Sequence, residues 1–161
     1  MKTASPRARC ALLLAACAAL AACGTATAPP PSAAAQPPAE LRTGEVVVRA
    51  TVLPSMQLGT AMAARYGVAR DAGTVVLVVG LRRGPVSAEQ SVEGRVTAQA
   101  TDLLGNRQSI ELHQVRDGGY VDHVGTARVA MPDTLRFTIQ AAPMDAPAAT
   151  LRFNRDFFPP R

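Results

Sequence analysis

"VEGRVTAQAT", Val92–Thr101, decides the fold. Val92, Gly94, Val96, Ala98 and Ala100 fall on one side of an extended chain, and Glu93, Arg95, Thr97, Gln99 and Thr101 on the other. Strand side chains alternate with period 2, so this segment reads as a strand with one face in a core and one in water. Downstream, Leu135, Phe137, Ile139 and Ala141 alternate with Arg136, Thr138 and Gln140, and Leu151, Phe153 and Phe157 continue the pattern. Upstream, "EVVVRATV" (Glu45–Val52) begins the series. "TVVLVVGL" (Thr74–Leu81) is apolar on both faces, which predicts a central strand covered on both sides. Turn signals separate the runs: Arg83-Gly84-Pro85, Gly105-Asn106, Asp117-Gly118-Gly119, Met131-Pro132-Asp133 and Pro143 to Pro147. One segment breaks the rhythm. Gly59–Tyr66, "GTAMAARY", predicts a short helix stopped by Gly67. About seven short strands with regular turns imply an all-β protein, a single immunoglobulin-like β-sandwich with one short helix. It lacks the Cys-Trp-Cys core of an antibody-type domain.

The segments before Leu41 follow other rules. Met1–Arg9 carries Lys2, Arg7 and Arg9 without an acid, and Cys10–Ala22 is an unbroken run of Ala, Leu and Cys. That run has signal-peptide length and is too short to span a bilayer, which takes about 20 apolar residues. "LAAC" occurs twice, ending at Cys17 and at Cys23. It resembles the bacterial lipobox, in which a diacylglycerol joins the cysteine thiol and the signal is cut away. A cut before Cys23 leaves an apolar core of ordinary length, whereas a cut before Cys17 leaves almost none. Residues 1–22 are therefore expected to be a lipoprotein signal, with Cys23 the lipidated residue. Gly24 is not the aspartate that resembles an inner-membrane retention signal, so the outer membrane, facing the periplasm, is expected. Gly24–Glu40, "GTATAPPPSAAAQPPAE", buries too little to offset its ordering entropy and completes a disordered tether over 23–40. At the polyproline rise of about 3.1 Å per residue it reaches roughly 50 Å. Residues 41–161 form the sandwich domain.

Of 17 basic residues, Lys2, Arg7 and Arg9 lie in the signal, and the other 14 face 12 acids. Those arginines are scattered, and aromatic residues are too few for base stacking, so nucleic acid is not an expected partner. No lysine follows Lys2, which removes Schiff-base chemistry. Cys10 and Cys17 leave with the signal, so no free thiol or disulfide remains.

His113 and His123 flank the Asp117-Gly118-Gly119 turn. A three-residue loop would set the two histidines opposite each other. A two-residue Gly-Gly loop pairs Asp117 with Tyr120 and puts them on opposite faces. The second register gathers Ile110, Leu112, Val121, Ala127 and Val129 on one face, and sets Glu111 beside Thr126 and Ser109 beside Arg128. Gly-Gly also suits a type I′ turn. The histidines are therefore expected apart, without a shared metal. Ser87, Ser91 and Ser109 lie in no Gly-x-Ser-x-Gly elbow. Glu89 and Glu93 read as solvated charges rather than a glycosidase pair. Tyr66 is expected to lie in the last turn of an amphipathic helix that packs onto the sandwich, on the same face as Met62 four residues earlier, the other reading being a partner contact.

"RYGVAR" (65–70), "VTAQATDLLGN" (96–106), "DTLRFTIQA" (133–141) and "LRFNRDFF" (151–158), in that order, resemble the bacterial family catalogued as domain of unknown function 4426. The resemblance implies a periplasmic or lipid-anchored β-sandwich and assigns no catalytic or binding residue. The expected function is non-enzymatic: a protein-interaction or envelope-maintenance module without cofactor. Its partners would be the membrane, through lipidated Cys23, and an envelope protein. The alternative is a binding domain for a small peptide, lipid or glycan, although the absence of tryptophan counts against sugar stacking. A hydrolase using His113 or His123 is the third reading. A long unpaired edge strand or an exposed apolar patch favours the protein partner.

Overall fold

The computed structural model describes residues 36–159, so Cys23, the signal segment and most of the tether lie outside the described residues. Ten strands are present: β1 Ala39–Thr43, β2 Val46–Pro54, β3 Thr74–Arg83, β4 Gln90–Ser91, β5 Gly94–Thr101, β6 Arg107–Ile110, β7 His113–Asp117, β8 Tyr120–Arg128, β9 Asp133–Pro143 and β10 Ala149–Phe157. They form two antiparallel sheets. The first has the order β1-β2-β3-β8-β7, with β4 also on β3, and the second the order β10-β9-β5-β6. This is the expected all-β sandwich with its one short α-helix, α1 (Thr60–Arg65). The strand count exceeds seven because brief edge and bridging strands leave no periodic trace.

The alternating residues meet between the sheets. Val46, Val48 and Ala50 of β2, Val75, Leu77 and Val79 of β3, Ala100 of β5, and Leu135, Phe137 and Ile139 of β9 are all fully buried. Phe137 stacks on Phe153 at 5.3 Å between ring centroids. Each large apolar side chain so placed contributes about 1.5–3 kcal/mol relative to exposure. β3 is central and buried on both faces, as its sequence predicts. Its second face carries Val76, which joins Leu58, Ala63 and Val124 in a smaller core under α1. Tyr66 packs against this cluster as expected, but Ala63 and not Met62 seats the helix, since Met62 is exposed. A small residue lets the helix approach the sheet closely; a methionine there would hold it off.

Two further expectations are corrected. Strand β1 begins at Ala39, inside the segment assigned to the tether. Gln36 Nε2 donates to Asp156 O at 3.0 Å and Arg155 Nη2 to Pro37 O at 2.6 Å, so the domain holds the chain from residue 36. The turn at Gly118-Gly119 has the two-residue register, Asp117 opposite Tyr120, with φ of 53° and 87° at the glycines. That register ends at His113. Arg107–Ile110 pairs instead with β5 in the other sheet, so Ser109 is not on a ladder with Arg128 and Glu111 is not opposite Thr126. The crossing passes over Gly125, where a Cβ would stand 2.5 Å from Glu111 O and 2.6 Å from Ile110 Cγ2. The Gln108 amide replaces the lost ladder by bonding both Arg128 N and Arg128 O at 2.8 Å.

Candidate functional site

The ionisable groups concentrate on the outer face of the first sheet. Register sets Arg49, Gly80 and Asp122 in one row across β2, β3 and β8. Gly80 leaves a hollow that the guanidinium of Arg82 fills; a Cβ there would lie 2.7 Å from Arg82 Cζ. Arg82 is buried, donating to Val121 O at 2.9 Å and to Leu81 O and Ser91 Oγ at 3.2 Å. It also bonds the carboxylate of Asp122 and lies 5.1 Å from the centre of the Tyr120 ring. Arg49 forms a two-pronged bond with Glu89, both contacts 2.9 Å, and a third with Glu40 at 2.6 Å. Arg49 holds the Glu89 carboxyl below its ordinary range, and the two glutamates push the guanidinium further up.

The helix end is clamped to the same face. Arg65 pairs with Asp117, and His113 Nε2 donates to Tyr66 O at 3.0 Å. Burial raises the Tyr66 hydroxyl, with Asp122 and Asp117 adding to the effect. These groups satisfy one another. The arrangement braces β2, β3, β8 and α1, and its guanidinium donors are spent on protein acceptors.

The sequence-derived candidates do not converge. His113 lies opposite Val124 on the outer face, and His123 lies opposite Val79 on the inner face. His123 is buried and its Nδ1 has no partner among the described residues. Burial pushes its pKa down, outweighing the carboxylates of Asp122 and Glu93. Glu89 is held by Arg49, whereas Glu93 faces Arg116 at 3.3 Å. Ser91 is tied up structurally, its Oγ accepting from Val121 N at 2.8 Å. Among the described residues no three His, Cys, Asp or Glu side chains gather to hold a metal. Cys23 lies outside the described residues. Tyr66 packs in the small core.

Two features missed in the sequence concern the surface. Of the four strands that end the sheets, β1 and β7 have five residues and β6 four, but β10 has nine. It pairs with β9 along its whole length on one side. The second feature is the β5–β6 turn, where Leu103 and Leu104 are 72% and 89% exposed. Two adjacent leucines in a turn were the legible signal.

A family model described as Domain of unknown function (DUF4426) matches residues 40–160, which is most of the chain. The chain belongs to the DUF4426 family. A crystal structure of a DUF4426 family protein from Pseudomonas aeruginosa is similar to it at 27% identity and a TM-score of 0.66, over 77% of this chain and 97% of that one. A copper-bound variant of FetP from uropathogenic Escherichia coli shares the fold at 10% identity and a TM-score of 0.52, over 77% and 98% of the two chains. No curated protein matches the DUF4426 chain.

Proposed function

We propose that this DUF4426 protein is a non-enzymatic, lipid-anchored interaction module of the cell envelope. Cys23 ties it to the outer membrane on the periplasmic side, and β10 takes up an envelope protein partner by strand addition. The observation that carries this reading is the length of β10. Proteins blunt exposed sheet edges with short strands, bulges or covers, because an open edge pairs with whatever extended chain it meets. Three ends of this sandwich are short, and the fourth is nine residues long. Residues 36–37 bond around Arg155 and Asp156, and Thr43 Oγ1 donates to Pro147 O at 2.8 Å, so β1 lies beside β10. The only ladder β10 makes among the described residues is with β9, which leaves the amides of Ala149–Asn154 for a partner strand.

The copper of the FetP structure is not carried over. That likeness shows the fold alone, and the two histidines here lie on opposite faces of one sheet.

A photoreactive residue at Arg152 on β10, and one at Ser109 on β6 at the opposite edge, test the reading in intact cells. A discrete adduct from position 152, absent from position 109 and lost with Cys23→Ser, is expected. Equal background at both positions would contradict it.

A further inference from the structure

The chain enters the domain at one end of the second sheet, since Gln36 bonds Asp156 O. Phe157 lies opposite Asp133 there, and Arg136 opposite Thr101, so the turn from Asp102 to Asn106 projects from the same end. That end displays Leu103, Leu104 and Phe158, 72%, 89% and 72% exposed. The leucines are not loose. The Asp102 carboxylate accepts from Asn106 N and Asn106 Nδ2, both at 2.8 Å, and Gly105 N donates to Asp102 O at 3.1 Å. A rigid turn that holds two leucines in water presents them to something.

Charge indicates what that is. Residues 36–159 hold 13 arginines and 12 acids, close to balance. The outer face of the second sheet carries exposed Arg95, Arg107, Arg136 and Arg152, of which Arg107 and Arg136 lie towards the turn, where the carboxylates of Asp102, Asp133 and Asp156 also stand. Arg136 and Arg107 flank Thr101, the last residue before the turn. Neither makes an ion pair among the described residues. The Asp102 carboxylate is held by Asn106, whereas Arg107 and Arg136 are free to reach outwards. Apolar side chains at the tip, unpaired guanidiniums behind them and a tether entering at the same end match the layering of a bilayer surface, hydrocarbon below and phosphate above.

We propose that this end of the domain rests on the anionic lipid surface to which the chain is tethered, with Leu103 and Leu104 entering the acyl boundary and Arg107 and Arg136 meeting headgroup phosphates. The inference rests on the lipid anchor at Cys23. It assigns the tether a second role, since anchoring raises the effective concentration of a weak contact.

The test uses the mature full-length protein in vesicles of phosphatidylethanolamine and phosphatidylglycerol, with one fluorophore at Leu104→Cys or, at the opposite end, Met144→Cys. Quenching by spin-labelled lipids should be several-fold stronger at 104 than at 144. It should fall towards the level at 144 when Arg107→Gln and Arg136→Gln are added, or when phosphatidylcholine replaces both lipids. Acylated protein with equal quenching at the two positions overturns the inference and leaves the anchor standing. A preparation whose mass shows no acyl chain overturns both. A position 104 left unquenched in vesicles but crosslinking to a protein in cells assigns the turn to a protein pocket and overturns the lipid reading.

Discussion

Arg82 and His123 are both buried ionisable residues, and the fold treats them in opposite ways. A guanidinium cannot shed its proton, so burial demands full compensation. Arg82 receives it from Asp122, three carbonyl or hydroxyl oxygens and the Tyr120 ring. An imidazole can become neutral, and burial pushes His123 towards that form by lowering its pKa, with Nδ1 left unbonded among the described residues. The depressed pKa has a consequence for stability. Once the pH falls below the unfolded value, about 6.5, the unfolded chain binds a proton that the folded chain refuses. Stability contributed by neutral His123 is therefore present above that pH and lost progressively below it, down to the folded value. Thermal unfolding between about pH 8 and pH 5 should show this decline in the wild type and a flatter profile in His123→Gln. Identical profiles would mean that His123 is solvated. The lowered carboxyls of Asp71, Glu89 and Asp102 act in a separate, more acidic window, where their stabilisation is lost as pH falls through the carboxylate range.

At the scale of elements, the chain crosses between sheets where Ile110–Leu112 passes over Gly125. The nearest contact there is the backbone oxygen of Glu111, which cannot swing aside as the side-chain tips of Ile110 and Leu112 can. Gly125→Ala should destabilise the domain by about 3 kcal/mol through overpacking, read as a shift in denaturant midpoint. Gly59→Ala, with open space around its Cβ position, should be near neutral. Equal effects would show that the crossing yields. Strands β5 and β9 were legible because their burial follows period 2, and β3 because it is apolar on both faces. The break between β6 and β7 was not, because "SIEL" at Ser109–Leu112 keeps the alternation while the chain changes sheets. What leaves room for the change is a missing side chain fifteen residues later, and no local pattern registers it. The helix was legible in position and not in seating, since whether Met62 or Ala63 faces the sheet depends on how closely the two layers approach.

For the whole molecule, the sandwich followed from alternation, whereas strand order and edge lengths depend on which strands pair. Candidate-site reasoning from the sequence correctly kept the histidines apart. It did not anticipate the Arg49–Glu89 and Arg82–Asp122 braces, although a glycine two residues before an arginine in an apolar strand marks a place where backbone is approached closely. These braces consume the charges that a catalytic reading would need. The edge of β10 and the leucine turn face outwards, and these are the surfaces that the proposed binding role uses.

Strand addition has a signature that no other mode of contact shares. In an edge strand successive amides point alternately towards the neighbour and away from it, so a docked strand protects every second N–H. The decisive measurement is residue-resolved amide hydrogen exchange along Ala149–Asn154, with and without the protein captured through position 152. Alternate amides exchanging fast alone and slowing in the complex are the predicted result. Unchanged exchange along β10 would contradict the account.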